Sequence, residues 1–443
     1  MRKSNKIIYQ ISLRTFTPEG TLNAAALLLG HIAGLGVDIV YLCPFYVEDD
    51  DENRETWSER QIKSKVNNPK NPYKIVDYFN VDEEYGTNED LKKFVQEAHK
   101  NGLLVMFDLV YLHCGKNAVF INEHPDFVQR NDDGTIRITA PYPFPRLNFE
   151  NRALRSYLLN HMETMVREYD ADGFRCDVGD AVPLDFWKAA FKYLRGIKPD
   201  LITLNEGVNP KYLKEPFDMG YDIEWNKLLV DIFANNIPAS KLESLYRWEQ
   251  AEYRENVDKL TRTIDTHDTA SDQLDRNEIA MTSRGVEAAL VITNTFDGVA
   301  FLWNGYEACD NAENLMFSNR FYGRRNYINW SRAFTKDGLR RMEFIKKIHR
   351  LHHEADAIVN GKISWVLNST PNEVVSYVKE SDKQKLLIVV NTKNKAVETE
   401  VFELHNTAQI LMSYGIDTGN RKVRLAPYGY MIAEQKSKNP HNA

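Results

Sequence analysis

Short apolar runs alternate with amphipathic segments over the first 355 residues of the chain. Runs such as 37–44 (VDIVYLCP) and 103–110 (LLVMFDLV) are apolar at nearly every position rather than at every second one. A strand with this pattern is buried on both faces, which is typical of a parallel sheet covered by helices. Segments such as 88–101 carry apolar residues at helical spacing. The pattern therefore predicts an α/β domain.

The alternation predicts eight strands with helical crossovers between them. The predicted strands are 6–12, 37–44, 103–110, 171–178, 201–206, 218–222, 262–267 and 299–305. The predicted helices are 21–35, 88–101, 150–169, 185–198, 226–248, 284–294 and 338–355. Eight such repeats favour a closed (β/α)8 TIM barrel. A doubly wound open sheet is the alternative, but no phosphate-binding glycine fingerprint follows the first strand.

Two segments interrupt this repeating pattern. Residues 45–72 are rich in charged side chains, and we expect them to form a solvated loop. Residues 114–146 follow the third predicted strand and include the turn-forming sequences NDDG and PYPFP. Because turn residues cluster there, we expect a short inserted subdomain rather than another barrel repeat.

The pattern changes again near the C-terminal end of the sequence. Short apolar runs separated by turn residues predict an antiparallel β-sandwich domain at 357–436. The catalytic barrel is then assigned to 1–113 and 147–356, with the inserted subdomain at 114–146. The last residues, 437–443, are expected to be disordered.

Composition and charge exclude several classes of protein. The chain has 56 basic and 63 acidic residues, a net charge of −7, which argues against a nucleic-acid-binding protein. No apolar run approaches the roughly 20 residues of a membrane helix, and no signal peptide is recognisable, so we expect a cytoplasmic protein. The four cysteines form no CxxC pair, which predicts buried free thiols rather than a zinc site.

Polar and titratable side chains stand at the ends of several predicted strands. The active site of a (β/α)8 barrel lies at the carboxyl ends of its strands, so these side chains converge on one rim. A carboxylate in a buried strand is unfavourable unless it is paired or functional. Such convergence is difficult to explain by packing. The residues are Asp108, His113, Arg175, Asp177, Glu206, His267 and Asp268.

Three carboxylates around one pocket are suited to glycoside hydrolysis. One acts as nucleophile, one as acid and base, and a third can hold the distorted sugar. A retaining enzyme keeps the first two about 5–5.5 Å apart. Neighbouring strands are about 4.8 Å apart, so Asp177 and Glu206, at the ends of strands four and five, could supply that spacing.

The motifs at these strand ends resemble the α-amylase family of glycoside hydrolases, family thirteen. GFRCD (173–177) resembles the nucleophile motif of the family, and NEG (205–207) resembles its acid/base segment. DTHD (265–268) and FDLVYLH (107–113) are similar to two further family motifs. The resemblance extends over about 6–434, and the order of the motifs makes the combination specific.

The resemblance implies a role for each site residue. Asp177 would be the nucleophile, and Arg175 would hold it ionised and oriented. Glu206 would protonate the leaving oxygen. Asp268 would stabilise the transition state, and His267 would bind sugar hydroxyls.

Two more residues take their roles from the same resemblance. His113, at the end of the third motif, would bind the sugar. Tyr73 stands where a family tyrosine stacks on the reacting sugar, whose C–H face is apolar. Asp108 would be structural, and Asp222 would line the cleft or pack beneath it.

The sequence also departs from the family pattern. Leu112 replaces the asparagine that often binds a structural calcium ion, so we expect no required cofactor and regard calcium as doubtful. The lysine–histidine pair common after the nucleophile is replaced by Gly179 and Asp180. Residues 114–146 are shorter than the corresponding family segment, which suggests an open cleft.

Val178 and the run 173–187 resemble the neopullulanase and cyclomaltodextrinase members, which implies α-1,4 and also α-1,6 bonds. Three functions remain open. The first is a retaining hydrolase of α-glucans or malto-oligosaccharides. The second is a transglycosylase or phosphorylase that uses the same site. The third is a non-catalytic glucan-binding protein, which the retention of all three carboxylates disfavours. The oligomeric state is left open, and no nucleic-acid or membrane partner is expected.

Overall fold

Eight parallel strands form the barrel at the centre of the computed structural model. The model describes residues 5–139, 142–273, 275–322, 326–405, 407–419 and 421–435, so the predicted tail at 437–443 lies outside the described residues. The barrel strands are β1 (Ile8–Ile11), β2 (Ile39–Leu42), β3 (Leu104–Leu109), β4 (Gly173–Cys176), β5 (Ile202–Asn205), β6 (Met219–Gly220), β7 (Thr261–Arg262) and β8 (Val299–Trp303).

The strands pair in the order β6-β5-β4-β3-β2-β1-β8-β7. A parallel bridge between Gly220 and Leu260 joins β6 to β7 and closes the ring. The predicted closed barrel is therefore confirmed, and the open-sheet alternative is wrong. A separate apolar cluster, which includes Ile8, Met106 and Phe301, fills the space that the strands enclose.

The helices surround the barrel and cover its apolar outer face. Among the described residues none of them is long and apolar enough to cross a membrane. The helices are Leu13–Phe16, Leu22–Ala26, Leu29–Gly34, Glu59–Lys63, Asn88–Lys100, Arg152–Tyr169, Leu184–Ile197, Pro210–Lys214, Ile223–Ala234, Ser240–Tyr253, His267–Gln273, Asn277–Ala280, Thr282–Thr295, Lys336–Glu354 and Asp356–Asn360.

Three predicted elements differ from the observed ones, and the helical segment predicted at 226–248 is two helices, Ile223–Ala234 and Ser240–Tyr253. The helix predicted at 21–35 is two helices, although Thr21 caps the first of them as expected by accepting a hydrogen bond from the Ala24 N–H. The strand predicted at 262–267 ends at Arg262. It ends there because the Thr263 hydroxyl bonds the backbone of Asp265 and turns the chain, so that His267 begins a helix.

Six antiparallel strands follow the barrel. The strand Lys422–Gln435 is central, with Lys385–Asn391 and Val397–Glu400 along one edge and Gln409–Gly419 along the other. A bridge between Asn368 and Val401 joins the two ends of the sheet around a second apolar core. The predicted C-terminal sandwich is thereby confirmed. The strands are β9 (Lys362–Trp365), β10 (Val374–Glu380), β11 (Lys385–Asn391), β12 (Val397–Glu400), β13 (Gln409–Gly419) and β14 (Lys422–Gln435).

The charged segment 45–72 is not the solvated loop that its composition suggests. It contains the strand Tyr46–Glu48, which pairs with Ile75–Val81, and the helix Glu59–Lys63. It also buries apolar side chains such as Trp57 and Val66. Its charges were misleading because many of them pair inside the fold rather than face water.

We predict that Gly173→Ala destabilises the barrel. A Cβ at this position would lie 2.5 Å from the Ile202 carbonyl oxygen, because β4 and β5 pack closely there. Overpacking of this kind costs about 1–3 kcal/mol of unfolding free energy. Urea unfolding measures the change. Gly196→Ala is the matched control, since a Cβ there meets no atom within 4 Å and sits in a helix that favours alanine. Equal stability of the two variants would contradict the prediction.

Candidate active site

A cleft with a volume of about 470 Å³ opens at the carboxyl ends of the barrel strands. Seven residues were given a catalytic or sugar-binding role from the sequence. Five of them line this cleft, and they come from different strands and loops. The five are Tyr73, His113, Asp177, Glu206 and Asp268. Arg175 and His267 lie directly beneath, in contact with these side chains.

The guanidinium group of Arg175 connects the acidic residues of the site. Its Nη1 donates to both Asp108 oxygens at 2.8 and 2.9 Å and to Asp177 Oδ1 at 3.0 Å. Its Nη2 lies 2.8 Å from Glu206 Oε2. Because one planar group contacts both Asp177 and Glu206, these two carboxyl groups are held close together on neighbouring strands.

The two carboxyl groups differ in how many partners they have. Glu206 Oε2 also accepts the backbone N–H of Val178 at 2.7 Å, which fixes its orientation. Asp177 Oδ2 is buried and has no hydrogen-bond partner among the described residues. An oxygen that is fixed at one end by Arg175 and unpartnered at the other is suited to attack a bound carbon atom.

Asp268 is the third carboxylate that lines the cleft, and it follows strand β7. One oxygen is paired with Arg60 Nη1, and the other lies 3.5 Å from His267 Nε2. Arg60 also donates from Nε to Asp272 Oδ1 at 2.6 Å. Both acidic residues stand on the helix His267–Gln273, one turn apart, so a single arginine side chain holds both.

A chain of hydrogen bonds runs beneath Asp268. Gln10 Nε2 donates to His267 Nδ1 at 2.7 Å, so the ring proton of His267 is on Nε2. That nitrogen is 2.6 Å from the Tyr73 hydroxyl, which donates to Asp108 Oδ2 at 3.0 Å. These hydrogen bonds fix the positions of His267 and Tyr73 relative to each other, and the centres of their stacked rings are 5.4 Å apart.

Burial keeps both histidines of the site neutral. It lowers the pKa of His113 to about 4 and that of His267 to about 4. His113 Nε2 donates to the Tyr73 carbonyl at 2.9 Å, and its Nδ1 is buried without a partner among the described residues. A neutral imidazole can both donate and accept, which is what recognition of sugar hydroxyls requires.

The pKa values of the three carboxyl groups shift in opposite directions, although burial raises each of them. Burial raises the pKa of Asp177, and the nearby charge of Glu206 raises it further. Burial also raises the pKa of Glu206, although Arg175 opposes this. For Asp268, burial is outweighed by His267 and Arg60, which lower its pKa to about 2. One proton is therefore favoured on the Asp177–Glu206 pair, while Asp268 stays ionised.

Three contributors to the site were not predicted from the sequence. Arg60 lies in the segment taken for a solvated loop, and its charge alone gave no sign of its position. Tyr41 donates to Asp108 Oδ2 at 2.6 Å, and Gln10 orients His267. Tyr41 and Gln10 lie in apolar strands, where a polar residue is itself a signal. Asp222 does line the cleft, but Arg262 binds it at 2.8 Å.

The family's calcium position does not fit a metal here. Leu112 is buried, its side chain offers only carbon atoms where the family has an amide oxygen, and its carbonyl oxygen accepts the Leu147 N–H. Among the described ranges, no group of three or more His, Cys, Asp or Glu side chains could hold a metal ion.

Comparisons with known sequences agree with the motifs. The family model described as "Alpha amylase, catalytic domain" matches residues 5–133. Alpha-amylase 2 of Dictyoglomus thermophilum is 22% identical over 430 residues, covering 91% of this chain and 69% of that protein. A cyclomaltodextrinase of a Bacillus species is 24% identical over 394 residues, covering 82% of this chain and 64% of that protein. The chain thus spans about two thirds of the length of these relatives.

Solved structures share the whole fold. The maltogenic alpha-amylase AmyB of Thermotoga neapolitana has a TM-score of 0.82 at 23% identity, covering 98% of this chain and 99% of that chain. A cyclomaltodextrinase has a TM-score of 0.77 at 22% identity, covering 97% of this chain and 78% of that chain. The barrel and the C-terminal sheet are therefore a known combination.

We predict opposite stability effects from two substitutions in the cleft. The ordinary pKa of an aspartate is 3.8, and the pKa of Asp177 in the fold is raised, because its ionised form is unfavourable there. Asp177→Asn should therefore stabilise the protein relative to the wild type, by an amount that increases as the pH rises from 3.8 toward the raised pKa. Asp268→Asn should destabilise it by about 1–2 kcal/mol, because its lowered pKa favours folding at all pH values above 3.8.

Urea unfolding of both variants between pH 5 and pH 8 tests this pair. The gain for Asp177→Asn should grow with pH, and the loss for Asp268→Asn should stay constant across this range. Changes of the same sign in both variants would contradict the charge distribution described for the site.

Proposed function

We propose that this chain is a member of the α-amylase family of glycoside hydrolases and a retaining hydrolase of α-glucans or malto-oligosaccharides, on the basis of the matched family model and of the relatives that share its motifs and fold. The observation that carries this proposal is the placement of Asp177 and Glu206 on one guanidinium group, with Asp268 in the lining of the same cleft. The close pair supports retention, since an inverting pair must leave room for a water molecule.

In the first step, Asp177 attacks the anomeric carbon of the bound sugar. The carbon–oxygen bond to the leaving sugar breaks as Glu206 transfers its proton to that oxygen. The product is a glycosyl ester of Asp177. Asp268 faces the positive charge that develops on the sugar ring, and its low pKa keeps it negative throughout.

In the second step, Glu206 takes a proton from water. The water oxygen bonds to the anomeric carbon, and Asp177 leaves as a carboxylate. The raised pKa of Glu206 suits both duties, because the group must be protonated before the first step and ionised before the second. The positive charge of Arg175 reduces the net negative charge of the Asp177–Glu206 pair both before the first step and before the second.

The substrate class is inferred from the relatives. Proteins named maltogenic alpha-amylase and cyclomaltodextrinase are 26% and 24% identical to this chain. We propose α-1,4 bonds as the main target and α-1,6 bonds as a second target, on the basis of Val178 beside the nucleophile. A protein named "Intracellular maltogenic amylase", at 23% identity, supports a cytoplasmic location.

We predict that the wild type cleaves malto-oligosaccharides and that Asp177→Asn does not. The panel is maltotriose, longer maltodextrins, pullulan, cyclodextrin, isomaltose, sucrose and trehalose, with products separated by chromatography. Cleavage by the wild type alone supports the site, and the anomer seen first by NMR tests retention. Equal turnover by the variant would exclude Asp177 as nucleophile.

A matched variant tests the acid. Glu206→Gln should lose about 10²–10⁴-fold in rate on a natural glucan, because no group protonates the leaving oxygen. It should lose much less on α-glucosyl fluoride, whose leaving group needs no proton. New oligosaccharides formed with an added acceptor, or sugar phosphates formed with phosphate, would favour the transglycosylase or phosphorylase function. No cleavage by the wild type would favour the binding-protein function.

We also propose that no metal ion is required, because Leu112 cannot act as a ligand. Treatment of the enzyme with EDTA followed by gel filtration should leave both the thermal midpoint and the rate unchanged. Recovery of a lost activity by calcium, and by no other added salt, would show that a different part of the chain binds the metal.

A further inference from the structure

The two ends of the cleft have different walls. Near Glu206, where the leaving sugar must lie for its oxygen to reach the acid, the lining includes Val178 and the half-exposed Ile223 together with the polar Asp222 and Asn226. A mixed surface of this kind can contact both the apolar face and the hydroxyl groups of further sugar rings.

The transferred sugar must lie against Asp177 and Asp268, and Arg60 borders the cleft beside Asp268. Its guanidinium group is paired with Asp268 and also donates to both oxygens of Asp272, at 2.6 and 3.0 Å. All of its terminal nitrogens are therefore engaged with the helix that carries Asp268. A sugar ring whose hydroxyl groups bind Asp268 must therefore also contact Arg60. The contact falls where the preceding ring of the glucan would be attached.

The segment that carries Arg60 is fixed in place. Asn68 Nδ2 donates to the Phe317 carbonyl at 3.0 Å, and Gln61 Nε2 donates to the Asn68 carbonyl at 2.8 Å. Val66 packs against the buried run 315–317 in a small apolar cluster of its own. The wall is thus a folded part of the molecule rather than a single flexible side chain.

The wall continues around the cleft to the second insertion. The strand Tyr142–Pro145 contacts the turn Arg54–Thr56, so the two insertions meet. Tyr142 and Phe144, from this strand, line the cleft with parallel rings. The short insertion at 114–146 therefore contributes two aromatic rings to the wall of the cleft.

From this geometry we infer that Arg60 determines specificity by closing the glycone end of the cleft. The enzyme then accepts an α-glucan only by its non-reducing end and releases one glucosyl unit at each turnover. This inference rests on the proposed hydrolase function and adds the mode of attack to it. On this inference a single ring is held between Asp177 and Arg60, which both line the cleft.

The test compares maltoheptaose with the same sugar blocked at its non-reducing end by a 4,6-ethylidene group. The wild type should release glucose from the free sugar and should act on the blocked sugar at least about 100-fold more slowly. Cleavage of the blocked sugar at an equal rate would overturn the inference, as would maltose as the first product. Both results would leave the hydrolase function intact.

Variants separate the wall from general effects on the fold. Arg60→Ala should gain cleavage of the blocked sugar and should release longer products from the free one. Arg54→Ala is the matched control, because Arg54 lies on the same segment but binds Asn67 and the ring of Trp57 outside the cleft. An unchanged product pattern in Arg60→Ala, with an unchanged unfolding midpoint, would contradict the role of Arg60.

A binding measurement keeps the inference testable if no glucan is hydrolysed. Saturation-transfer NMR with a sulfur-linked maltotriose identifies the ring that contacts the protein. We expect the strongest transfer to the non-reducing ring and no binding by the ethylidene-blocked analogue. Equal transfer to all three rings, or equal binding of the blocked analogue, would overturn the inference whether or not turnover is seen.

Discussion

The buried guanidinium group of Arg175 is the interaction on which the site depends. It contacts Asp108, Asp177 and Glu206, and it lies 5.5 Å from the ring centre of Tyr221. Without a positive charge at this position, three carboxyl groups from adjacent strands could not be buried together. Arg175 is on β4, between β3 and β5, which is the one strand from which a single side chain reaches the acids of both neighbours. The barrel order thus makes the charge balance possible.

The carboxyl groups of the cleft differ in protonation because their neighbours differ. Asp177 and Glu206 share one cation and bury most of their surface, so a proton is retained between them. Asp268 has its own cation in Arg60 and remains ionised. Glycosyl transfer requires one carboxylic acid that is protonated and one carboxylate that stays ionised. The same fold provides both by giving each carboxyl group different neighbours.

The insertions add function to a barrel that is otherwise common. The strands and helices position the carboxylates, and similar barrels are found in proteins of below 25% identity. Arg60 comes from an insertion, as do Tyr142 and Phe144, and together they shape the end of the cleft that Asp268 borders. Loops at this face vary without disturbing the barrel, so differences in substrate access are built there.

The sequence alone was sufficient to predict the barrel, the C-terminal sheet and the seven candidate residues. Burial on both faces imposes continuous apolar strands, and polar residues interrupt such strands where function requires them. The residue roles remain predictions until the variants are measured. The role of segment 45–72 was decided only by the tertiary structure. Its charged residues have no periodicity that distinguishes pairing inside a fold from exposure to water, and Arg60 reaches Asp268 across more than 200 positions of sequence. Contacts of that range depend on packing, which no local pattern records.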